Sequence, residues 1–158
     1  MVALVHNIVS DTRDPAAVER LLRALPDWFG IEESLLEYVA DAARLPTYLA
    51  YVGHDPNAVG VLLLARHFPE AAEVHLMAVD PRFHRRGIGR ALLEAVEQDL
   101  RSEGVRFLQV KTQGPSRPDP GYQRTLSFYR AEGFAPLEEL DGLWAENPCL
   151  IMVKSLSP

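Results

Sequence analysis

The chain has 158 residues, is 47% hydrophobic and 24% charged, and carries 16 Lys and Arg against 22 Asp and Glu for a net charge of −6. That length and composition suit one compact domain over 1–158, and the acidic balance argues against a nucleic-acid partner. Cys149 is the only cysteine, which excludes an internal disulfide and makes a zinc cluster implausible. The longest apolar stretch, Ala58 to Ala65, is strand-sized, so no membrane partner and a cytoplasmic location are expected.

In chain order, residues 2–9 read as a first strand, and Pro15 to Leu25 and Glu32 to Leu45 as two helices parted by Pro26-Asp27-Trp28-Phe29-Gly30. Strands follow near 47–53 and 58–68. A further strand, Glu73-Val74-His75-Leu76-Met77-Ala78-Val79, is closed by Asp80-Pro81. Beyond it, Ile88, Leu92, Ala95, Val96 and Leu100 recur at the three- and four-residue spacing of an amphipathic helix, with Gly104 placed to cap it. The remainder reads as a strand near 106–112, a loop rich in Pro and Gly over 113–121, a short helix carrying Phe128-Tyr129, and strands near 134–140 and 149–155. This order predicts a mixed sheet with helices on both faces, of the α/β (α+β) class.

Between the 73–79 strand and the next helix lies Arg82-Phe83-His84-Arg85-Arg86-Gly87-Ile88-Gly89-Arg90, which holds four Arg and a His. An even spread of the chain's cations would put about one in such a window. Gly87 and Gly89 lack side chains, so an anion can approach the first-turn N–H groups, which have no intrahelical partner and sit at the positive end of the dipole. A Walker-type loop is absent. A dinucleotide fingerprint fails because Leu92 stands where a third glycine or alanine is needed.

Two segments carry a family resemblance. His84-Arg85-Arg86-Gly87-Ile88-Gly89 resembles the acyl-CoA signature Arg/Gln-x-x-Gly-x-Gly/Ala of the GNAT N-acyltransferase superfamily, with His84 in the place of Arg or Gln. About forty residues on, Tyr122 to Phe134 resembles the second GNAT motif in its Phe128-Tyr129 pair and its Gly133-Phe134 stop. Tyr122 and Thr125 replace the Asn and Ala common there. The resemblance covers residues 46–155; residues 1–45, a first strand and two acceptor-side helices, fit by their pattern of elements. It implies a single-domain GNAT-like fold with a largely antiparallel sheet of six to seven strands. Acetyl-CoA would serve as acyl-donor cosubstrate, with no metal.

The same resemblance implies roles for individual residues. Met77, Ala78 and Val79 would hold the pantetheine arm through their backbone, His84, Arg85, Arg86, Gly87, Ile88, Gly89 and Arg90 would hold the pyrophosphate, and Thr125 and Phe128 would add contacts from the later helix. Tyr129 would protonate the leaving thiolate. An amine with a pKa near 10.4 must lose a proton before attack, so a base is needed, and Glu73 or His75, two apart on one strand, is the candidate. Acceptor walls are expected around Asp27, Trp28, Phe29, Glu32 and Glu33, and around Trp144, Glu146 and Asn147, because aromatics with carboxylates suit a cationic amine. Cys149 reads as a buried strand thiol rather than an acyl carrier. The implied activity is transfer of an acetyl group to a primary amine of a small molecule or peptide by direct attack in a ternary complex, and a homodimer is compatible with it. The alternative is a non-catalytic acyl-CoA-binding module on the same fold.

Overall fold

The computed structural model describes residues 6–157. In chain order these form β1 (His6–Ser10), α1 (Pro15–Arg23), α2 (Glu32–Ala42), β2 (Thr47–Val52), β3 (Gly60–Phe68), β4 (Ala71–Val79), α3 (Ile88–Ser102), β5 (Phe107–Gln113), α4 (Pro120–Ala131), β6 (Ala135–Leu140) and β7 (Cys149–Ser155). The strands make one seven-stranded sheet in the order β1-β2-β3-β4-β5-β7-β6. Pairings β1–β2, β2–β3, β5–β7 and β6–β7 are antiparallel, whereas β4–β5 is parallel and needs the crossover that α3 supplies.

The predicted elements are all present, with shifted ends. Of the strand expected over 2–9, residues 2–5 lie outside the described residues. The first two helices stop at Arg23 and Ala42 rather than Leu25 and Leu45. The loop expected over 113–121 gives Gln113 to β5 and Pro120 and Gly121 to α4. Local chemistry explains the last shift: Asp119 Oδ1 accepts from Gly121 N at 2.9 Å and Tyr122 N at 3.2 Å, and Pro120 fills the first helical position, where no N–H is missed.

The chain forms two compact units. One comprises the residues up to Ala65 with His75–Asp99, and its core gathers Val18, Leu21 and Leu22 of α1, Leu35 of α2, Leu49, Val61 and Leu63 of the sheet, and Leu76 and Ala78 of β4. Asp14 caps α1 by accepting from Ala17 N at 3.1 Å, and Pro15 opens it. Ile88, Leu92, Leu93 and Val96 bury the α3 stripe, and Gly60 fits beneath it.

The second unit comprises Arg66–Val74 with the chain from Leu100 onward. Its buried apolar residues include Val74, Leu108, Val110, Tyr129, Phe134, Cys149, Leu150 and Met152. The register of β4 on β5 runs from Ala71/Phe107 to Val74/Val110, and a shift in the β6–β7 register falls at Pro136/Glu138. The helix α4 ends in a left-handed Gly133 (φ 96°); Phe134 N reaches back to Tyr129 O at 2.9 Å, and the two rings meet edge-on at 5.3 Å. Backbone bond and hydrophobic contact together make a Schellman stop, which fixes Tyr129 by the same residues that end the helix.

Candidate functional site

The turn between β4 and α3 is built from Asp80 outward. Asp80 is buried, caps the short 3₁₀ turn Pro81–Phe83 by accepting from Arg82 N at 2.9 Å, and takes Arg82 Nη2 at 2.8 Å. The Arg82 guanidinium outweighs partial burial and holds the Asp80 carboxyl below its usual range. Arg82 is thereby committed to a carboxylate. His84 Nε2 donates to Val79 O at 2.7 Å, so this ring buckles the turn to the end of β4, and Trp28 lies edge-on to it at 6.2 Å. Arg90 lies 3.2 Å from Glu94.

Beyond the buckle the backbone changes hand twice. Arg85 (φ 61°) and Gly87 (φ 81°) both sit in the left-handed region, an uncommon state for Arg. A Cβ on Gly87 would meet nothing within 4 Å, so the space above the turn is open. Arg85 and Arg86 are exposed, and the Arg86 guanidinium lies 5.9 Å from the Phe83 ring centre. Ile88 is buried, leaving only its backbone for a ligand, while Gly89 is half-buried. The arrangement offers helix N-terminal N–H groups and exposed guanidinium charge to an anion. On β4, Met77 and Val79 are half-buried and Ala78 is buried.

In the same unit, His75 is half-buried and its Nε2 lies 2.8 Å from Asp41 Oδ2 of α2. Tyr38 stands edge-on to the imidazole at 5.5 Å, and Phe29 edge-on to Tyr38 at 5.9 Å. Trp28 and Phe29 are half-buried and pack against the unit's core. Glu32 is paired with Arg23 at 2.7 Å, so it is not a free carboxylate for a cation; Asp27 and Glu33 are exposed.

In the second unit, Glu73 is 5% exposed and both of its oxygens are engaged: Oε1 takes Lys111 Nζ at 3.0 Å and His67 Nε2 at 2.7 Å, and Oε2 takes Lys111 Nζ at 3.2 Å. Glu73 and His75 are therefore held by different partners despite lying two apart. Tyr129 is buried, with Phe128 and Phe134 edge-on at 5.2 and 5.3 Å, and burial pushes its phenol well up, so it stays protonated and keeps a proton to donate. The Thr125 hydroxyl is taken up by Gly121 O at 3.2 Å, and Phe128 is half-buried. Trp144 is half-buried in the β6–β7 connection, where Arg117 Nη1 binds Glu146 O and Asn147 Oδ1, each at 2.7 Å. Cys149 is buried and its thiol is pushed up by that burial. No group of three or more His, Cys, Asp or Glu among the described residues could hold a metal ion. No helix among them is long and apolar enough to cross a membrane.

Asp41, Lys111 and His67 were not candidates from sequence. Asp41 stands 34 residues from His75 and Lys111 stands 38 from Glu73, and no local spacing signals either pair.

The family model for acetyltransferases of the GNAT family matches residues 14–134. Over 75 residues the chain is 37% identical to the N-alpha-acetyltransferase RimI of Mycobacterium tuberculosis, covering 48% of the chain and 42% of that protein. An uncharacterized Mycobacterium leprae protein is 29% identical over 132 residues, covering 80% of the chain and 34% of that protein. The chain thus spans less than half the length of either curated relative. Among solved structures, the ribosomal-protein-S18-alanine N-acetyltransferase of Escherichia coli superposes with a TM-score of 0.76 at 19% identity, covering 98% of the chain and 96% of its own. A GNAT family acetyltransferase of Elizabethkingia anophelis with acetyl-CoA bound superposes with 0.71 at 18% identity, covering 95% and 97%. With the strand, left-handed basic turn and helix in the family's order, and the family model matching most of its length, the chain belongs to the GNAT acetyltransferase family.

Proposed function

We propose that the chain is an acetyl-CoA-dependent N-acetyltransferase, a single domain over 1–158, that moves an acetyl group directly to a primary amine of a small molecule or peptide. The observation that carries this reading is the β4–α3 turn, where left-handed Arg85 and Gly87 open onto the α3 N-terminus. Its chemistry fits a pyrophosphate. Open space stands over Gly87, the first-turn N–H groups lack intrahelical partners, and Arg85 has no ion pair among the described residues. Arg85 and Arg86 would supply the side-chain charge. His84 is used instead to hold the turn to β4, and Ile88 and Gly89 would contribute backbone alone.

Acetyl-CoA, when bound, would supply an activated thioester. Backbone N–H groups of Met77, Ala78 and Val79 would line its arm and polarise the carbonyl oxygen. One of the two β4 groups, Glu73 or His75, would take a proton from the ammonium of the acceptor. Tyr129, kept neutral by burial, would give a proton to the departing thiolate. A raised thiol argues against Cys149 as a covalent acyl carrier, since only the thiolate attacks. The names of the relatives, an N-alpha-acetyltransferase and an S18-alanine N-acetyltransferase, favour a peptide N-terminus as the first acceptor to try. An aromatic acceptor wall around Trp28 and Phe29 belongs to the same proposal, as does one around Trp144.

Acetyl-CoA at a hundred times its Kd should add about 2.7 kcal/mol of stability and raise the melting temperature by several degrees. Turnover is then read by CoA release over peptide N-termini, polyamines, amino acids and aminoglycosides. No thermal shift at millimolar acetyl-CoA would reject the reading. A shift without release on any amine would instead indicate an acyl-CoA-binding module.

A further inference from the structure

His75 is the one β4 candidate whose imidazole is both oriented and within reach of solvent. Asp41 Oδ2 lies 2.8 Å from His75 Nε2, while Asp41 Oδ1 takes Arg44 Nη2 at 2.6 Å. Partial burial works against the charge on Asp41, but the hydrogen bonds from His75 and Arg44 outweigh it and hold the carboxyl below its usual range. A carboxylate can only accept, so Nε2 carries the shared proton, and whenever the imidazole is neutral its lone pair is on Nδ1. Tyr38, braced by Phe29, fixes the ring plane from the side. The His75 side chain is 29% exposed, whereas the Glu73 side chain is 7% exposed and its oxygens are filled by Lys111 and His67.

Resting on the transferase activity proposed above, we infer that His75 is the general base of the reaction and that Asp41 of α2 is its positioning residue. Nδ1 takes one proton from the ammonium of the acceptor, and the freed nitrogen pair forms the bond to the thioester carbonyl carbon. The C–S bond breaks with its pair on sulfur, and the second proton lost by nitrogen ends on that sulfur. The imidazolium, held by Asp41, returns the first proton to solvent. One amide, one thiol and one released proton balance the ammonium and thioester consumed. Glu73, in contrast, is the buried centre of a clamp that Lys111 and half-exposed His67 complete between β4, β5 and the end of β3.

The experiment uses the full chain with ¹⁵N-labelled histidine. In its neutral form His75 should show the Nε2–H tautomer, and Asp41→Asn, which can donate as well as accept, should erase that preference. With a peptide amine as acceptor, His75→Ala should lower kcat by about a hundredfold or more and Asp41→Asn by about tenfold. KM for acetyl-CoA should hold in both, and added imidazole should restore part of the His75→Ala turnover. His75→Gln serves as the second variant if the alanine form is unstable. An Nδ1–H tautomer in the wild type, or undiminished kcat in folded His75→Gln, overturns the pair alone. A wild-type chain that acetylates no amine rejects the transferase, and the base assignment with it.

Discussion

Tyr129 shows how one residue can be fixed by the punctuation of its own helix. It carries the carbonyl that accepts from Phe134 N and the ring that meets Phe134, so the Gly133 stop and the placement of the phenol are one structure. Tyr129→Phe keeps the ring contacts and removes only the hydroxyl. We expect kcat to fall about a hundredfold, the low end for a positioned acid because a thiolate leaves readily, with the affinity for acetyl-CoA unchanged by calorimetry. Gly87 gives a second test, with an internal control. Gly87 (φ 81°) and Gly104 (φ 80°) are both left-handed and both face open space, so alanine at either costs only the backbone strain, about 1–2 kcal/mol. Both variants should lose about 2–8 °C in Tm. Only Gly87→Ala should also weaken acetyl-CoA binding; equal affinities for the two would remove the turn from the binding site.

Elements differ in how far their neighbours constrain them. The α3 stripe closes over β3 so tightly that Gly60 has no room: a Cβ there would stand 2.9 Å from Ile88 Cγ2 and 3.2 Å from Leu92 Cδ1. Gly60→Ala should therefore cost about 1–3 kcal/mol by overpacking, seen as a lower urea midpoint at unchanged m-value. Leu92→Ala combined with Gly60→Ala should recover part of the strain term while adding a cavity, so the two changes should be non-additive. Helices proved readable because their periodicity is local, and Asp14-Pro15 opens α1 as cap and first residue; the start of α4 was not, since Asp119-Pro120, its cap and first residue, fell inside the loop expected over 113–121. The ends of α1 and α2 were less so, since no glycine follows Arg23 or Ala42 to stop the helix.

At the scale of the molecule, titration sets the range of stability. Asp80 and Asp41 are held below their ordinary values, so in the unfolded chain they take up protons before the folded one does, and the stability they confer is lost as pH falls below about 4. Cys149 and Tyr129 are held up by burial, so the unfolded chain loses these protons first, and stability falls as pH rises beyond about 8.5 and then beyond about 10. Urea midpoints across pH should show a plateau between these limits. Cys149→Ala should remove the first alkaline step, and an unchanged alkaline limb would show that the thiol is not the group responsible.

The sheet class, the order of the elements, the glycine-spaced basic turn and the family were all legible in one sequence, because each rests on residues close together: a strand, a basic turn, Gly-x-Gly and an amphipathic stripe within thirty positions. What the cations and carboxylates are free to do was decided only by tertiary contacts. Arg82 belongs to Asp80, His84 to the Val79 carbonyl, Glu32 to Arg23, Glu73 to Lys111 and His67, and His75 to Asp41. A side chain's charge and hydrogen-bonding capacity are written in its identity, but which partner consumes them depends on the folded backbone: His75 and Glu73 find Asp41 and Lys111 34 and 38 residues away, and the nearer pairs meet only through turns whose geometry residue identity alone does not fix.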